Sequence, residues 1–144
     1  MGVAARLRKA SKYLIAALVL LTLAALTNYI PGLTDAQGRA FGIFALDIYD
    51  DALHIASATW AAVAAYLSRR AATLFLRLFG TLYLLDGLMG LAIGSGYLDL
   101  GILIYGVQNL PFGFKILANL PHVALGGFAV FASFALALRQ ETTT

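Results

Sequence analysis

Two histidines, His54 and His122, are the side chains in this sequence best suited to bind a ligand or a metal ion. Each follows a short polar residue by three positions, Asp51 in one case and Asn119 in the other. Asp and Asn are preferred at the N-cap of a helix, so both patterns predict a helix start with the histidine in the first turn, in a capping and packing role. The alternative is that the two rings face each other and hold a haem or a small metal ion.

Asp86 is the second candidate, because it is an acidic residue inside an otherwise apolar stretch. A carboxyl group within a bilayer is costly unless it is protonated or hydrogen-bonded. Its helix face is shared with an aromatic residue and three glycines, Tyr83, Gly87, Gly90 and Gly94. Small residues four apart let helices approach closely, so we expect Asp86 to face another helix. There it either fixes the helix register, with Ser57, Thr59 and Trp60 as available partners, or binds a proton or ion in a transport step.

The elements that position these residues are four apolar runs, at 13–30, 52–68, 72–96 and 117–138. Of the 144 residues, 61% are hydrophobic and 12% are charged, whereas a soluble domain has about 25% charged residues. Each run has about the length of a membrane-spanning helix. The sequence therefore predicts an all-α integral membrane protein, a four-transmembrane-helix bundle in one domain, 1–144. Gly126 and Gly127 in the fourth run are expected to form a flat surface for helix packing.

The distribution of charge predicts how the helices are oriented. Most Lys and Arg residues lie before the first run, between the second and third, or after the fourth, whereas most acidic residues lie in the two other connections. Positively charged loops stay in the cytoplasm, so both termini are expected there. We interpret 13–30 as a retained helix rather than a signal peptide. The formal net charge of +3 is then a sign of topology and not of nucleic-acid binding.

The two halves of the chain, 1–68 and 69–138, resemble each other. A shift of 68 positions superimposes His54 on His122 and Asp51 on Asn119, together with the apolar runs. The first helix of each half runs outward, so the halves form two parallel-repeat helical hairpins. The outer connections, 31–50 and 97–116, are unusually apolar and are expected to lie in the interface or cap the bundle.

The segment from Phe41 to Asp51 and His54 resembles a bacterial membrane family described as domain of unknown function 4383 (DUF4383). Its hallmark is a Phe-Gly-rich outer segment that leads into Asn/Asp-x-x-His, echoed here by Phe112-Gly113 with Asn119 and His122. The resemblance implies a four-span protein of the bacterial cytoplasmic (inner) membrane and no established activity. This sequence has Asp51 where Asn is usual, which puts in doubt a role that needs an amide donor.

The composition and the absence of known motifs reduce the number of function classes that fit this chain. The chain has no cysteine, and it contains no phosphate loop, nucleophile elbow or zinc signature, so we expect no enzyme, no metal site and no cofactor. The expected partners are the lipid bilayer and either a second copy or another membrane protein, but not nucleic acid. The first hypothesis is a non-catalytic accessory or scaffolding protein. The alternative is a small carrier that binds haem or a metal through His54 and His122, or a proton or ion through Asp86. A cavity connecting Asp86 to the histidines would favour the carrier.

Overall fold

The computed structural model describes residues 22–23, 26–44 and 46–141, and this part of the chain is helical and has no strands. Its α-helices are α1 (Ile48–Leu67), α2 (Arg69–Ile93), the short α3 (Gly101–Tyr105) and α4 (Phe112–Glu141), preceded by a 3-10 turn at Thr27–Tyr29. The predicted all-helical class is confirmed for these residues. Most of the predicted first span, 13–30, lies outside them.

Helix α1 begins earlier than the predicted span 52–68, and Asp51 is not its cap. The N-cap is Asp47, whose Oδ1 accepts hydrogen bonds from the N–H groups of Tyr49 and Asp50 at 2.8 and 3.2 Å. Asp50 in turn accepts from the N–H of Asp47 at 3.0 Å. These hydrogen bonds satisfy the backbone N–H groups of Asp47, Tyr49 and Asp50 at the start of the helix. A cap at Asp51 would leave these N–H groups unpaired.

The short basic interval between the second and third apolar runs predicts a tight hairpin, and helices α1 and α2 form it with one residue, Ser68, between them. Ser68 is extended, and its Oγ caps α2 by accepting from the N–H of Ala71 at 3.0 Å. Small side chains let the two helices approach closely; they are Ala58, Ala61 and Ala64 on α1 and Ala72 on α2. Three aromatic side chains of α2 belong to the same buried core, Phe75, Phe79 and Tyr83.

The most extensive interface joins α2 to α4, and glycines mark its closest approach. A Cβ added at Gly126 would collide with the backbone of Leu84 and Gly80. The other contacts of this kind place Gly87 against Val123 and Gly90 against Asn119. Packing at these positions therefore leaves no room for a side chain.

Two of the glycines predicted to pack between helices, Gly94 and Gly127, do not lie at the contact between α2 and α4. Gly94 ends α2 in the left-handed conformation, with φ of 84°, a backbone conformation that glycine adopts without steric cost. Gly127 faces open space, because a Cβ there would have no neighbour within 4 Å. One position of close contact, Gly80, was not predicted.

Helix α4 begins at Phe112, five residues before the predicted start at 117. Asn119 is therefore inside the helix, where its Nδ2 donates to the carbonyl of Lys115 at 2.9 Å instead of capping. His122 lies about three turns from the start and not in the first turn. Pro121 also lies inside the helix, where it removes one backbone hydrogen bond. The segment 112–116 is apolar apart from Lys115, whose Nζ donates to the carbonyl of Ala92 in α2 at 3.2 Å.

Within the described part of the chain, two helices are long and apolar enough to cross a membrane, Arg69–Ile93 and Phe112–Ala135. Helix α1 is not one of these two, and its first turns contain two acidic residues and a histidine. Large apolar side chains on all three long helices point outward and are exposed, for example Val63, Leu74, Leu85, Phe131 and Phe134. Such surfaces are typical of contact with lipid or with another protein.

Candidate functional site

Asp86 is the most completely buried acidic side chain among the described residues, with 1% of its surface exposed. Its Oδ1 accepts hydrogen bonds from the N–H groups of Tyr97 and Leu98, at 2.6 and 2.9 Å. Its Oδ2 is hydrogen-bonded to Nδ1 of His122 at 2.7 Å. Both oxygens therefore have partners, which offsets the cost of burying the carboxyl group.

The chain after α2 turns back on the helix to deliver those two backbone donors. Asp86 precedes the end of α2 by seven residues, about 10 Å along the axis. Gly94 ends the helix in the left-handed conformation, and the loop then runs back to Asp86. A Cβ on Gly96 would lie 2.7 Å from the Asp86 carboxylate oxygens, so the close approach requires glycine. This loop is held to later residues by Ser95 Oγ, which donates to the carbonyl of Gly106 at 2.6 Å.

The residues named from the sequence as partners of Asp86 bond elsewhere. Ser57 Oγ is 3.4 Å from the hydroxyl of Tyr83, and Thr59 donates to the carbonyl of Ile55 at 2.8 Å. Trp60 packs edge-on against Phe75, with ring centroids 4.9 Å apart. Asp86 bonds to α4 and to the loop instead.

His122 connects the carboxyl group to the open interior of the protein. Its ring packs edge-on against Tyr83, with centroids 5.0 Å apart. With Nδ1 bonded to Asp86, the other ring nitrogen, Nε2, has no hydrogen-bond partner within the described chain. A carboxylate on one nitrogen fixes the orientation of the ring and leaves the second nitrogen available to a ligand.

His54 and Asp51 form a second polar group on α1. His54 is 6% exposed, and its Nδ1 makes no hydrogen bond to any described residue. Asp51 Oδ2 accepts from the hydroxyl of Tyr29 at 2.8 Å, while its Oδ1 has no partner there. A buried nitrogen without a partner is unfavourable, so His54 is a side chain that a bound group would satisfy.

The structure contains a cavity of about 900 Å³ that is lined by both histidines and by Asp86. His54 from α1, Asp86 from α2 and His122 from α4 all line it. The loops before α1 and after α2 close one end, and a hydrogen bond of 3.0 Å from the Tyr105 hydroxyl to Asp47 ties them to each other. The cavity has the size of a small-molecule site. Asp86 and the two histidines therefore share one cavity.

The charged groups around this cavity are mostly acidic. Asp50, Asp86 and Asp99 line it, whereas Arg39 is its one Lys or Arg from the described residues. Arg39 is already paired, because its Nε lies 2.9 Å from Oδ2 of Asp35. Asp50 precedes the predicted second span, and its burial raises the pKa of this carboxyl group to about 7, with a smaller contribution from the charge of Asp99.

Among the described residues, no group of three or more His, Asp or Glu side chains is arranged to hold a metal ion. Two ligands, His54 and His122, line the cavity. Two histidines suffice for the axial positions of a haem but are too few for most single metal ions.

No family model, curated protein or solved structure matches this chain.

Several residues of the site were not predicted from the sequence. Asp50 and Asp99 look like ordinary residues of helix caps and loops, and only the fold shows that they share the cavity. The amides of Tyr97 and Leu98 have no signature in a sequence. A usable clue was Gly96, which follows Gly94 by two positions and indicates close backbone contact just after a helix.

Proposed function

We propose that this chain is a small membrane carrier that binds one small molecule in the cavity between α1, α2 and α4. The observation that supports this proposal is the cavity that Asp86, His122 and His54 line together. An accessory or scaffolding protein works through packed helix surfaces and does not need a cavity of this size. The proposal includes no chemical conversion of the ligand.

His122 is the residue best placed to recognise a ligand. Asp86 holds its ring through Nδ1, and the ring is packed against Tyr83, so Nε2 is presented in a fixed orientation. A preorganised group loses little entropy when it binds. Asp86 has both oxygens occupied, so its role in this proposal is to position His122 and the loop rather than to bind an ion itself.

The proposed setting is a four-span bundle in the bacterial inner membrane with both termini in the cytoplasm, built from two related hairpins, 1–68 and 69–138. Two apolar helices, the exposed apolar side chains and the placement of basic residues support it. The resemblance to DUF4383 is part of the same proposal. In that arrangement the lipid bilayer is the immediate partner, and the end of the cavity that the two loops close lies near the outer surface.

Ligand binding is tested with a variant that fills the cavity. Ala118 lines the cavity, whereas Ala135 lies on the same helix and is exposed away from it. We expect wild-type protein, purified in a mild detergent, to contain about one small molecule per chain by solvent extraction and mass spectrometry. Ala118→Phe should lose this molecule, and Ala135→Phe should keep it.

An absorption spectrum of the same samples reads out haem directly. A Soret band that disappears in His54→Ala or His122→Ala would identify haem as the ligand. Wild-type protein that contains no small molecule and binds none, but that co-purifies with a stoichiometric protein partner, would support the scaffolding hypothesis and contradict the carrier.

Orientation is tested with single cysteines, since the natural chain has none. Val107 lies in the loop before α4 and is 72% exposed. We expect Val107→Cys to react with a membrane-impermeant maleimide in intact spheroplasts, and Thr144→Cys to react only after the membrane is opened. The reverse pattern would show that both termini are outside.

A further inference from the structure

The acidic groups of the cavity are not balanced by basic ones. Asp86 is bonded to His122, and Arg39 is committed to Asp35, which also accepts from the backbone N–H of Arg39 at 2.8 Å. Asp50 and Asp99 remain without a cationic partner among the described residues. An apolar cavity with uncompensated carboxylates attracts positive charge.

Asp50 and Asp99 both line the cavity, and the charge of Asp99 acts on Asp50. Asp50 is 9% exposed, and one of its oxygens accepts from the N–H of Asp47, which leaves the other without a protein donor. Asp99 accepts from the N–H of Gly101 at 2.9 Å through Oδ1, and its Oδ2 is similarly free of a donor. Each carboxylate therefore offers one oxygen to a ligand.

The other residues that line the cavity suit the apolar part of a lipophilic cation. The lining is largely apolar and includes six aromatic rings besides the acidic residues; the rings are Phe41, Phe44, Tyr83, Tyr105, Phe114 and Phe128. Aromatic faces attract cations, and the attraction grows when water is excluded. A volume of about 900 Å³ accommodates a multi-ring molecule.

A further observation also indicates a ligand. His54 is buried, lines the same cavity, and has a ring nitrogen with no hydrogen-bond partner among the described residues. Its surroundings are therefore incomplete without a bound group. The acidic residues alone would not establish a site, but the cavity and this unpartnered ring do so together.

We infer that the cavity binds a lipophilic organic cation, an aryl or alkyl ammonium compound with an N–H group, with its charge between Asp50 and Asp99. This inference rests on the proposed carrier function and adds the class of ligand. It disfavours haem, whose two propionates would meet the carboxylates of Asp50 and Asp99, while Arg39 is already paired with Asp35. It also disfavours fatty acids and other lipophilic anions, for the same reason.

The test compares two ions of the same size and shape and of opposite charge. Tetraphenylphosphonium and tetraphenylborate are measured by equilibrium dialysis against wild-type protein in a non-ionic detergent, with protein-free micelles as the blank. We expect saturable binding of about one tetraphenylphosphonium per chain, with an affinity at least about tenfold higher than that of tetraphenylborate.

Adjacent acidic residues supply a matched pair of variants. Asp50→Asn keeps an oxygen for the N–H of Asp47 and removes the charge from the cavity, and it should weaken tetraphenylphosphonium binding by about tenfold. Asp51→Asn removes the same charge from a residue that does not line the cavity, and its affinity should change by less than about twofold. Asp99→Asn is the second cavity variant, and all three are checked for folding by circular dichroism.

The outcomes separate the ligand class from the carrier function. Stronger binding of tetraphenylborate, or equal effects of Asp50→Asn and Asp51→Asn, would overturn the cationic ligand and leave the carrier proposal standing. A haem-containing protein would do the same. Failure of both ions and of neutral triphenylphosphine oxide to bind, with no small molecule in the purified protein, would overturn both.

The pH dependence gives an independent readout. Asp50 is faced by Asp47 on its own helix, Asp99 in the loop and His122 from α4, and burial raises its pKa to about 7. A bound cation favours the ionised carboxylate, so binding releases a proton and the affinity rises between about pH 6 and about pH 8. Asp50→Asn should flatten this profile. A fall in affinity over the same range would contradict the inference.

Discussion

Replacing Asp86 with alanine is expected to lower the free energy of unfolding by about 3–5 kcal/mol, the largest loss that we predict for a single substitution in this protein. The change removes the acceptor for the N–H groups of Tyr97 and Leu98 and the partner of His122, all in the interior of the protein. Buried polar groups that lose their partner carry the full cost of desolvation. Unfolding in mixed detergent micelles, followed by circular dichroism, measures the change.

The conservative variant Asp86→Asn is the control for this prediction. Its side-chain oxygen still accepts from Tyr97 and Leu98, so only the bond to His122 is altered. We expect a smaller loss of stability and continued protection of these two amides from hydrogen exchange, whereas Asp86→Ala should expose both. Full protection of both amides in Asp86→Ala would show that the carboxylate does not hold the loop.

The second large effect is expected at Gly126. A valine there would place its Cβ against the backbone of Leu84 and Gly80, which cannot move aside as a flexible side chain can. We expect a loss of about 3 kcal/mol or more, because α2 and α4 must separate. The measurement is the same unfolding experiment in mixed micelles.

The neighbouring glycine supplies the matched control. A Cβ at Gly127 meets nothing within 4 Å, so Gly127→Val adds the same side chain to the same helix without a collision. Its effect on stability should stay within about 1 kcal/mol. Equal losses in the two variants would mean that the helix propensity of valine, and not the contact with α2, determines the result.

The sequence predicted helices better than it predicted where they begin. The apolar runs and the polar interval at Ser68 were sufficient for the hairpin of α1 and α2. The start of α1 was placed at Asp51 because that residue precedes His54 by three positions, yet Asp47 and Asp50 cap each other more completely. For α4, Asn119 has the composition of a cap but lies inside a helix that had already begun at Phe112. Short polar residues thus indicate a cap without fixing its position.

The candidate site was predictable in part. The cost of burying a charge among apolar residues is enough to identify Asp86 as unusual from the sequence alone. Its partner His122 was not predicted, because an error of five residues in the start of α4 places that histidine at a different depth. The backbone donors of Tyr97 and Leu98 depend on the path of a loop, which apolar periodicity does not describe.

The position of Asp86 also determines how the protein assembles. The carboxyl group joins α2, the loop that follows it, and α4, so His122 is the last of the three pieces to be synthesised. Until α4 docks against Gly80 and Gly87, the loop lacks the neighbour that completes its attachment. The last helix and this loop therefore become ordered together. We therefore expect α2, this loop and α4 to fold as one unit within the second half of the chain.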